Sequence, residues 1–524
     1  MAQAALPRLA ATGRPGPTAA PAPVSVVEYG RRRTLIVVGV MLAALLQTLD
    51  ATIVNVALPT IEGNVGASID DGAWIVTGYI ISNVVAIPLA PFLLQRFGRR
   101  QYYAISIIGF TAASFLCGTA TTLSTLVLYR IVQGAFGGAL IATSQIILRE
   151  TLPPEKIGAS SALFAVALTL GPALGPTLGG ALTDNFSWPW VFEINVVPGT
   201  IAALIILTTL RNPAPPRRLP FDALGVALLV VGLGSLQYVL DEGERNDWFG
   251  SDRIVLFACA SVLGLIAFAL WELWGTKTPI VDLRIFRYRN VRVGVGSAIL
   301  MGAVVFGPTI MLPQYTQGIL GFTAMLSGLL MLLRAAPVLV CTPFVARLAT
   351  RLDPRALLVL GCATSGASFF LIAQRMTTGS DFGTFGPLLV LSGIGQSMLL
   401  VPLLVSVIGT VVPQDGPKAS SFISLSFQLG ASIASTMLIT IFDRRTYFHA
   451  DILRSAATAA NPLLRADVPH ALALLARAVL VQATNLGFAD AILALVPVSA
   501  LGVLLVLFLK RPGPATGPAP VAAE

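Results

Sequence analysis

Apolar stretches of more than about 18 residues, long enough to cross a hydrocarbon core of ~30 Å, recur along most of this 524-residue chain. No other feature constrains the fold as tightly. Lipid leaves every backbone N–H and C=O to be satisfied within the protein, which only helices and closed barrels achieve. The runs are continuous instead of alternating, so helices are expected and a β-barrel is not. Charged residues are 11% of the chain and hydrophobic ones 55%, whereas soluble domains carry about a quarter of their residues as charges. A water-soluble enzyme is excluded, and an all-α integral membrane protein is expected.

Polar punctuation divides the chain into fourteen candidate spans, from 34–60, through 157–182 and 323–348, to 418–441 and 485–509. An even count places both termini on one side. Most of the 34 lysines and arginines fall on the side that holds the termini, so both are expected in the cytoplasm. The longest aqueous loop is read at 442–484, on the outer side. A weak repeat relates the loop after the second span, Pro91-Phe92-Leu93-Leu94-Gln95-Arg96-Phe97-Gly98-Arg99-Arg100, to the one after the tenth, which begins Pro343-Phe344-Val345-Ala346-Arg347. The partition it suggests is a bundle over 34–210, an inserted helix pair with linkers over 211–292, and a second bundle over 293–510. Residues 1–33 and 511–524 read as disordered cytoplasmic tails, the outermost stretches being rich in Ala, Pro and Gly.

The net charge of +9 is spread over loops without a binding stripe, so nucleic acid is not an expected partner. Cys117, Cys259, Cys341 and Cys362 sit singly in apolar runs and read as small core residues, without metal-site or redox spacing. His449 and His470 are the only histidines, both assigned to the 442–484 loop, which excludes a multi-histidine metal centre. No Walker sequence is present, so ATP hydrolysis has no support.

Ionisable groups inside spans are costly unless they face a cavity or a partner, which makes them the leading functional candidates. Asp50 lies about 16 residues into the first span, ~24 Å along its axis, and Arg130 about 7 residues, or ~10 Å, into the fourth, which enters from the opposite face. The two share a depth. They can form a static ion pair tying two helices, or a pair that opens when the carboxyl takes up a proton. Arg334, near the middle of the tenth span, has no acid within spans nine to thirteen. It is expected to face water, pair with Asp50 across the bundles, or meet an anionic ligand, and a cavity position is preferred over snorkelling. Glu193, Asp222, Glu272 and Asp490 lie near span ends and read as interfacial. Gln47, Thr48, Thr52, Asn55, Asn83, Gln133, Ser144 and Gln145 give the first bundle polar positions, some of which line water or ligand. Gly171, Gly175 and Gly179 repeat every fourth residue in the fifth span, ahead of Gly180, and leave one face bare for close helix approach. Pro172 and Pro176 remove ladder hydrogen bonds and let that helix bend.

Four of these segments, in order, resemble the major facilitator superfamily. They are Leu49-Asp50-Ala51-Thr52-Ile53-Val54-Asn55-Val56-Ala57-Leu58-Pro59, the loop Arg96-Phe97-Gly98-Arg99-Arg100, Arg130 with Gln133-Gly134, and the glycine-proline run 171–180. Fourteen spans, Gly234-Ser235-Leu236-Gln237 with Asp241 and Asp247-Trp248-Phe249, and Pro279-Ile280-Val281-Asp282-Leu283 look like its EmrB/QacA-type drug:proton antiporters. The resemblance implies two six-helix bundles plus two inserted helices, and alternating-access export driven by the proton gradient without a cofactor. By resemblance Asp50 is the protonatable acid, Arg130 its basic partner, and 171–180 the antiporter motif at the central interface. Asn55, Gln133 and Arg334 are assigned to the substrate cavity. The implied setting is a bacterial inner membrane, with small hydrophobic substrates, a periplasmic adaptor and a TolC-like outer-membrane channel as partners. Gln95 and Pro91 depart from the loop motif, which usually has an acid and a glycine there. Arg334 favours weakly acidic hydrophobic cargo. A dedicated metabolite or siderophore exporter, and a sensor or scaffold that carries nothing, are the competing readings.

Overall fold

The computed structural model describes residues 28–153, 157–212, 219–460 and 469–511. Most of the two tails read from the sequence therefore falls outside the described residues. Among the described residues, fourteen helices are long and apolar enough to cross a membrane. The first six are α1 (Gly30–Val65), α2 (Trp74–Phe97), α3 (Arg99–Gly118), α4 (Leu123–Thr151), α5 (Ile157–Asn185) and α6 (Trp190–Thr209). The next two are α7 (Ala223–Glu242) and α8 (Asp252–Gly275). The last six are α9 (Arg289–Gly318), α10 (Ala324–Arg351), α11 (Pro354–Arg375), α12 (Phe382–Ile408), α13 (Gly416–Ala460) and α14, which runs Pro469–Leu493 and Leu495–Leu507.

Several starts carry a side-chain cap that satisfies an orphan backbone donor. Asp222 accepts from Gly225 N at 2.9 Å, Asp353 from Arg355 N at 3.0 Å and Asp381 from Thr384 N at 2.8 Å. Pro354 follows its cap at the first helical position, where its missing N–H costs nothing. The Arg355 side chain also bonds Asp353 and holds that carboxyl below its usual range.

In the first bundle α2 packs on α4, α1 on α5 and α6, and α3 on α4 and α6; in the second α9 packs on α13 and α14, and α12 on α10 and α11. The second core is centred on Tyr315, Phe369, Phe385 and Phe488. The bundles meet along α5 against α10 and α2 against α13. Ser421 donates to the Ile87 carbonyl at 2.8 Å across that second seam, and Ser424 of α13 donates to Gln145 of α4 at 3.3 Å. α7 and α8 cross closely where Gly232 and Gly264 meet, and α7 packs against α2 and α13. Gln237 of α7 donates to Ser432 of α13 at 2.9 Å.

One expectation is corrected. The stretch read as a long aqueous loop at 442–484 is largely helical: α13 runs 45 residues to Ala460, and α14 begins at Pro469. Hydropathy falls after Ile441, but no Gly or Pro interrupts the chain before Ala460, so the helix outlasts the apolar run. Arg445 and His449 reach Asp490 of α14 at 2.5 and 2.9 Å and tie the extension down.

Candidate transport cavity and buried ion pair

Asp50 of α1 is fully buried, and three donors from two other helices, α4 and α6, converge on it. Arg130 Nη1 donates to Oδ2 at 2.7 Å, while Gln133 Nε2 and Asn195 Nδ2 donate to Oδ1 at 2.9 and 3.0 Å. The carboxylate is thus met by one cation and two amides, the arrangement a buried charge requires. Arg130 also donates to Gln133 Oε1 at 2.8 Å and to the Ile75 carbonyl at 3.1 Å. Its Cζ lies 4.0 Å from the ring centroid of Tyr79 and 5.6 Å from that of Phe192. If the carboxyl were protonated, the guanidinium would keep these neutral partners.

Next to this cluster, between the bundles, is a cavity of about 1050 Å³, at the large end for small-molecule sites. α1 supplies Gln47, Thr52 and Asn55, α2 supplies Tyr79 and Asn83, and α5 supplies Pro172 and Pro176. The second bundle adds Phe306 and Phe427. Among the described residues, the charged lining residues are Asp241 and Glu242 at the end of α7, Glu244 and Arg245 just after it, and Asp443 of α13. α7 is thus a wall of the cavity, which sequence reasoning missed. The signal was an acid at the polar end of an otherwise apolar span.

The structure brings Asp50, Arg130 and Gln133 together and places Asn55 on the cavity. Gln133 departs from its expected place: it is fully buried beside Asp50 and does not line the cavity. One helical turn separates it from Arg130, so both reach the same carboxylate. Arg334 does not line the large cavity either. It occupies a small side pocket that shares Leu168, Pro172, Phe306 and Thr309 with it. It is not paired with Asp50; it donates to the Val305 carbonyl at 2.8 Å, Thr309 at 2.9 Å and Ser392 at 3.3 Å. Neutral acceptors from α9 and α12 take the place of the acid it lacks.

The glycine run has a different neighbour from the one expected. A side chain at Gly171 would strike Thr48, one at Gly175 Thr52, and one at Gly179 the Ile53 carbonyl, so the bare face packs on α1 within the first bundle. Gly180 is buried as well. Thr177, off that face, meets Gly328 of α10 across the seam between bundles. In the loop motif, Gly98 has φ +82°, and a side chain there would meet Asn212. Arg96 bonds the Leu219 carbonyl, Arg99 bonds Glu150 at 2.8 Å, and Arg100 bonds the Leu207 carbonyl at 2.6 Å. These arginines fasten the loop to its own bundle and the following linker, and Gln95 is exposed. Asn195 escaped sequence reasoning, although a lone amide in an apolar run is a polar group that needs a partner. Tyr79 escaped it because a tyrosine in a span reads as an interfacial anchor.

The Major Facilitator Superfamily model matches residues 40–435. The chain belongs to the major facilitator superfamily. Among curated superfamily relatives, it is 34% identical to "Multidrug export protein EmrB" of Escherichia coli (strain K12), over 83% of this chain and 85% of that one. It is also 34% identical to "Fatty acid resistance protein FarB" of Neisseria gonorrhoeae, over 78% and 80%. The crystal structure of the human organic anion transporter MFSD10 (TETRAN) shares the superfamily fold, with a TM-score of 0.58 and 16% identity, covering 90% of this chain and 99% of that one. The chain is an EmrB-like, multi-pass membrane transporter of this superfamily.

Proposed function

We propose that this protein is a proton-coupled multidrug efflux permease that exports hydrophobic and weakly acidic compounds by alternating access. The observation that carries the reading is the fully buried Asp50–Arg130 pair set beside a large, mostly apolar cavity between two bundles. When Asp50 accepts a proton the attraction to Arg130 collapses, and the guanidinium is held by Gln133, the Ile75 carbonyl and Tyr79. Loss of the proton restores the pair. A charge that appears and disappears at the packed edge of one bundle biases which way the bundles tilt. The names of the relatives EmrB and FarB support drug and fatty-acid cargo.

Weak acids are favoured by Arg334, whose side pocket opens on residues shared with the cavity. Hydrophobic cations are a second reading, favoured by Asp241, Glu242, Glu244 and Asp443 at the cavity wall. The proposed setting is a bacterial inner membrane with both termini cytoplasmic, working with a periplasmic adaptor and a TolC-like outer-membrane channel. The partition into bundles at 34–210 and 293–510, with an inserted pair at 211–292, belongs to the same reading.

Efflux from proteoliposomes under an imposed pH gradient tests it. The parent is expected to pump a fluorescent fatty acid uphill and to stop when the gradient collapses, and Asp50→Asn is expected to be inactive. Uphill pumping by Asp50→Asn at the parent rate would defeat the proposal. Arg334→Ala is expected to lose resistance to anionic compounds selectively; equal loss for anions and cations would favour the second reading.

A further inference from the structure

Asp50, Arg130 and Gln133 do not line the cavity, so a substrate there does not touch the group that carries the charge. Tyr79 touches both sides. Its ring lies under the Arg130 guanidinium at 4.0 Å, and its side chain lines the cavity. Its hydroxyl lies 3.4 Å from both the side-chain amide nitrogen and the main-chain carbonyl oxygen of Gln47. Both are long for a hydrogen bond, so the hydroxyl is weakly held where it stands.

Around that hydroxyl is an unfinished polar site. Asn83 is 1% exposed and Gln47 3% exposed, and both line the cavity. Among the described residues neither amide atom of Asn83 has a hydrogen-bond partner, and neither does Gln47 Oε1. Leaving buried polar atoms unmade costs about 1–3 kcal/mol each, and three in one place call for a ligand group that completes them. Gly137 of α4 lets these side chains approach one another closely. A Cβ there would lie 3.0 Å from Asn83 Nδ2, 3.2 Å from the Tyr79 hydroxyl and 3.4 Å from Gln47 Cγ. The three side chains converge on one point.

We propose that Gln47, Asn83 and the Tyr79 hydroxyl, with Gly137 as floor, form a subsite for a neutral head group that both donates and accepts hydrogen bonds, such as a primary amide or a protonated carboxylic acid, and that Tyr79 reports its occupancy to the Asp50–Arg130 pair. The inference rests on the export reading above. A ligand bonded to the hydroxyl holds the ring against Arg130. The guanidinium then stays beside the carboxylate and favours its ionised form, and the proton on Asp50 leaves to water. When the ligand departs, the ring loosens and the carboxyl can be protonated again. Tyr79 is a positioning residue in this scheme. The titratable groups facing Arg130 are Asp50 from α1, Tyr79 from α2 and Cys117 from α3, and α6 contributes the neutral Asn195.

The test uses full-length purified protein and two probes, a dansyl-labelled dodecanoic primary amide and its N,N-dimethyl amide, which cannot donate. Binding is read by dansyl fluorescence and proton release by a pH dye in weak buffer. The parent is expected to bind the primary amide at least about tenfold more tightly, because a site built for a donor rejects an analogue lacking it. Asn83→Leu and Gly137→Ala should erase that preference. Tyr79→Leu, compared at saturating probe, should release at least about tenfold less proton per probe bound, the scale of a lost desolvated cation–π contact. Tyr79→Phe keeps the ring beside Arg130 but loses the hydroxyl through which the probe holds it, and should also release less proton per probe bound. A parent preference untouched in Asn83→Leu, or full proton release by Tyr79→Leu, overturns the inference while leaving export intact. A parent that pumps neither probe in proteoliposomes overturns the export reading instead. If a variant is poorly folded, its gel-filtration profile identifies it, and the other member of its pair decides.

Discussion

At the scale of single residues, the decisive fact is that Asp50 and Arg130 are sealed from solvent and from the cavity together. Removing one member of such a buried pair leaves an uncompensated charge, at a cost of about 3–5 kcal/mol. Asp50→Asn is therefore expected to lower the thermal unfolding midpoint in detergent as well as to abolish proton-driven export. The double variant Asp50→Asn with Arg130→Gln should recover much of the midpoint without recovering transport. A double-mutant cycle that shows no coupling would mean that the pair is not formed in the membrane. The depth of both residues could be counted from the sequence, which is why the pair was legible there. Asn195 and the stacking face of Tyr79 were not, because an amide donor and a ring face leave no charge to count.

At the scale of elements, the glycines and prolines of α5 divide their work. The glycine face is filled by Thr48, Thr52 and Ile53 of α1. Gly171→Ala or Gly175→Ala should cost about 1–3 kcal/mol of stability by overpacking, read as a fall in unfolding midpoint. Pro172→Ala, at the cavity wall, should change transport rate with a smaller effect on that midpoint. The helical extension of α13 beyond the apolar run makes another prediction. Asp490→Ala frees Arg445 and His449, and hydrogen exchange over residues 442–454 should speed up, with a global stability change under about 1 kcal/mol because the pair is partly exposed. At the start of α11, Asp353 is held ionised below its unfolded value of about 3.9. Its contribution is complete above that pH and is lost as pH falls below it.

At the scale of the whole molecule, two seams hold the bundles together, α5 on α10 and α2 on α13, and the inserted helix α7 rests on the second seam. Ser421 Oγ stands 2.8 Å from the Ile87 carbonyl, so the two helices approach closely at these positions. Ile87→Cys with Ser421→Cys should lose efflux on oxidation and regain it on reduction, measured as dye retention in cells or vesicles. Efflux unaffected by the cross-link would show that this seam stays shut throughout the cycle. The contacts of α7 with α13 through Gln237 and Ser432 mean that the inserted pair takes part in whatever motion that seam undergoes.

The sequence alone determined the fourteen spans, the all-α class and the depth of the buried charges, because lipid imposes a length and a polarity on every segment that crosses it. It also held the four ordered segments that mark the superfamily. Only the tertiary structure decided which polar groups share a site. Gln133 turned to Asp50, Arg334 took a side pocket, and the glycine face met α1 instead of the opposite bundle. α7 became a cavity wall. Those outcomes depend on the rotation of each helix about its axis and on its neighbours across the bundle. The hydropathy of a span is nearly unchanged by such a rotation, so it is set by side chains packing from distant parts of the chain.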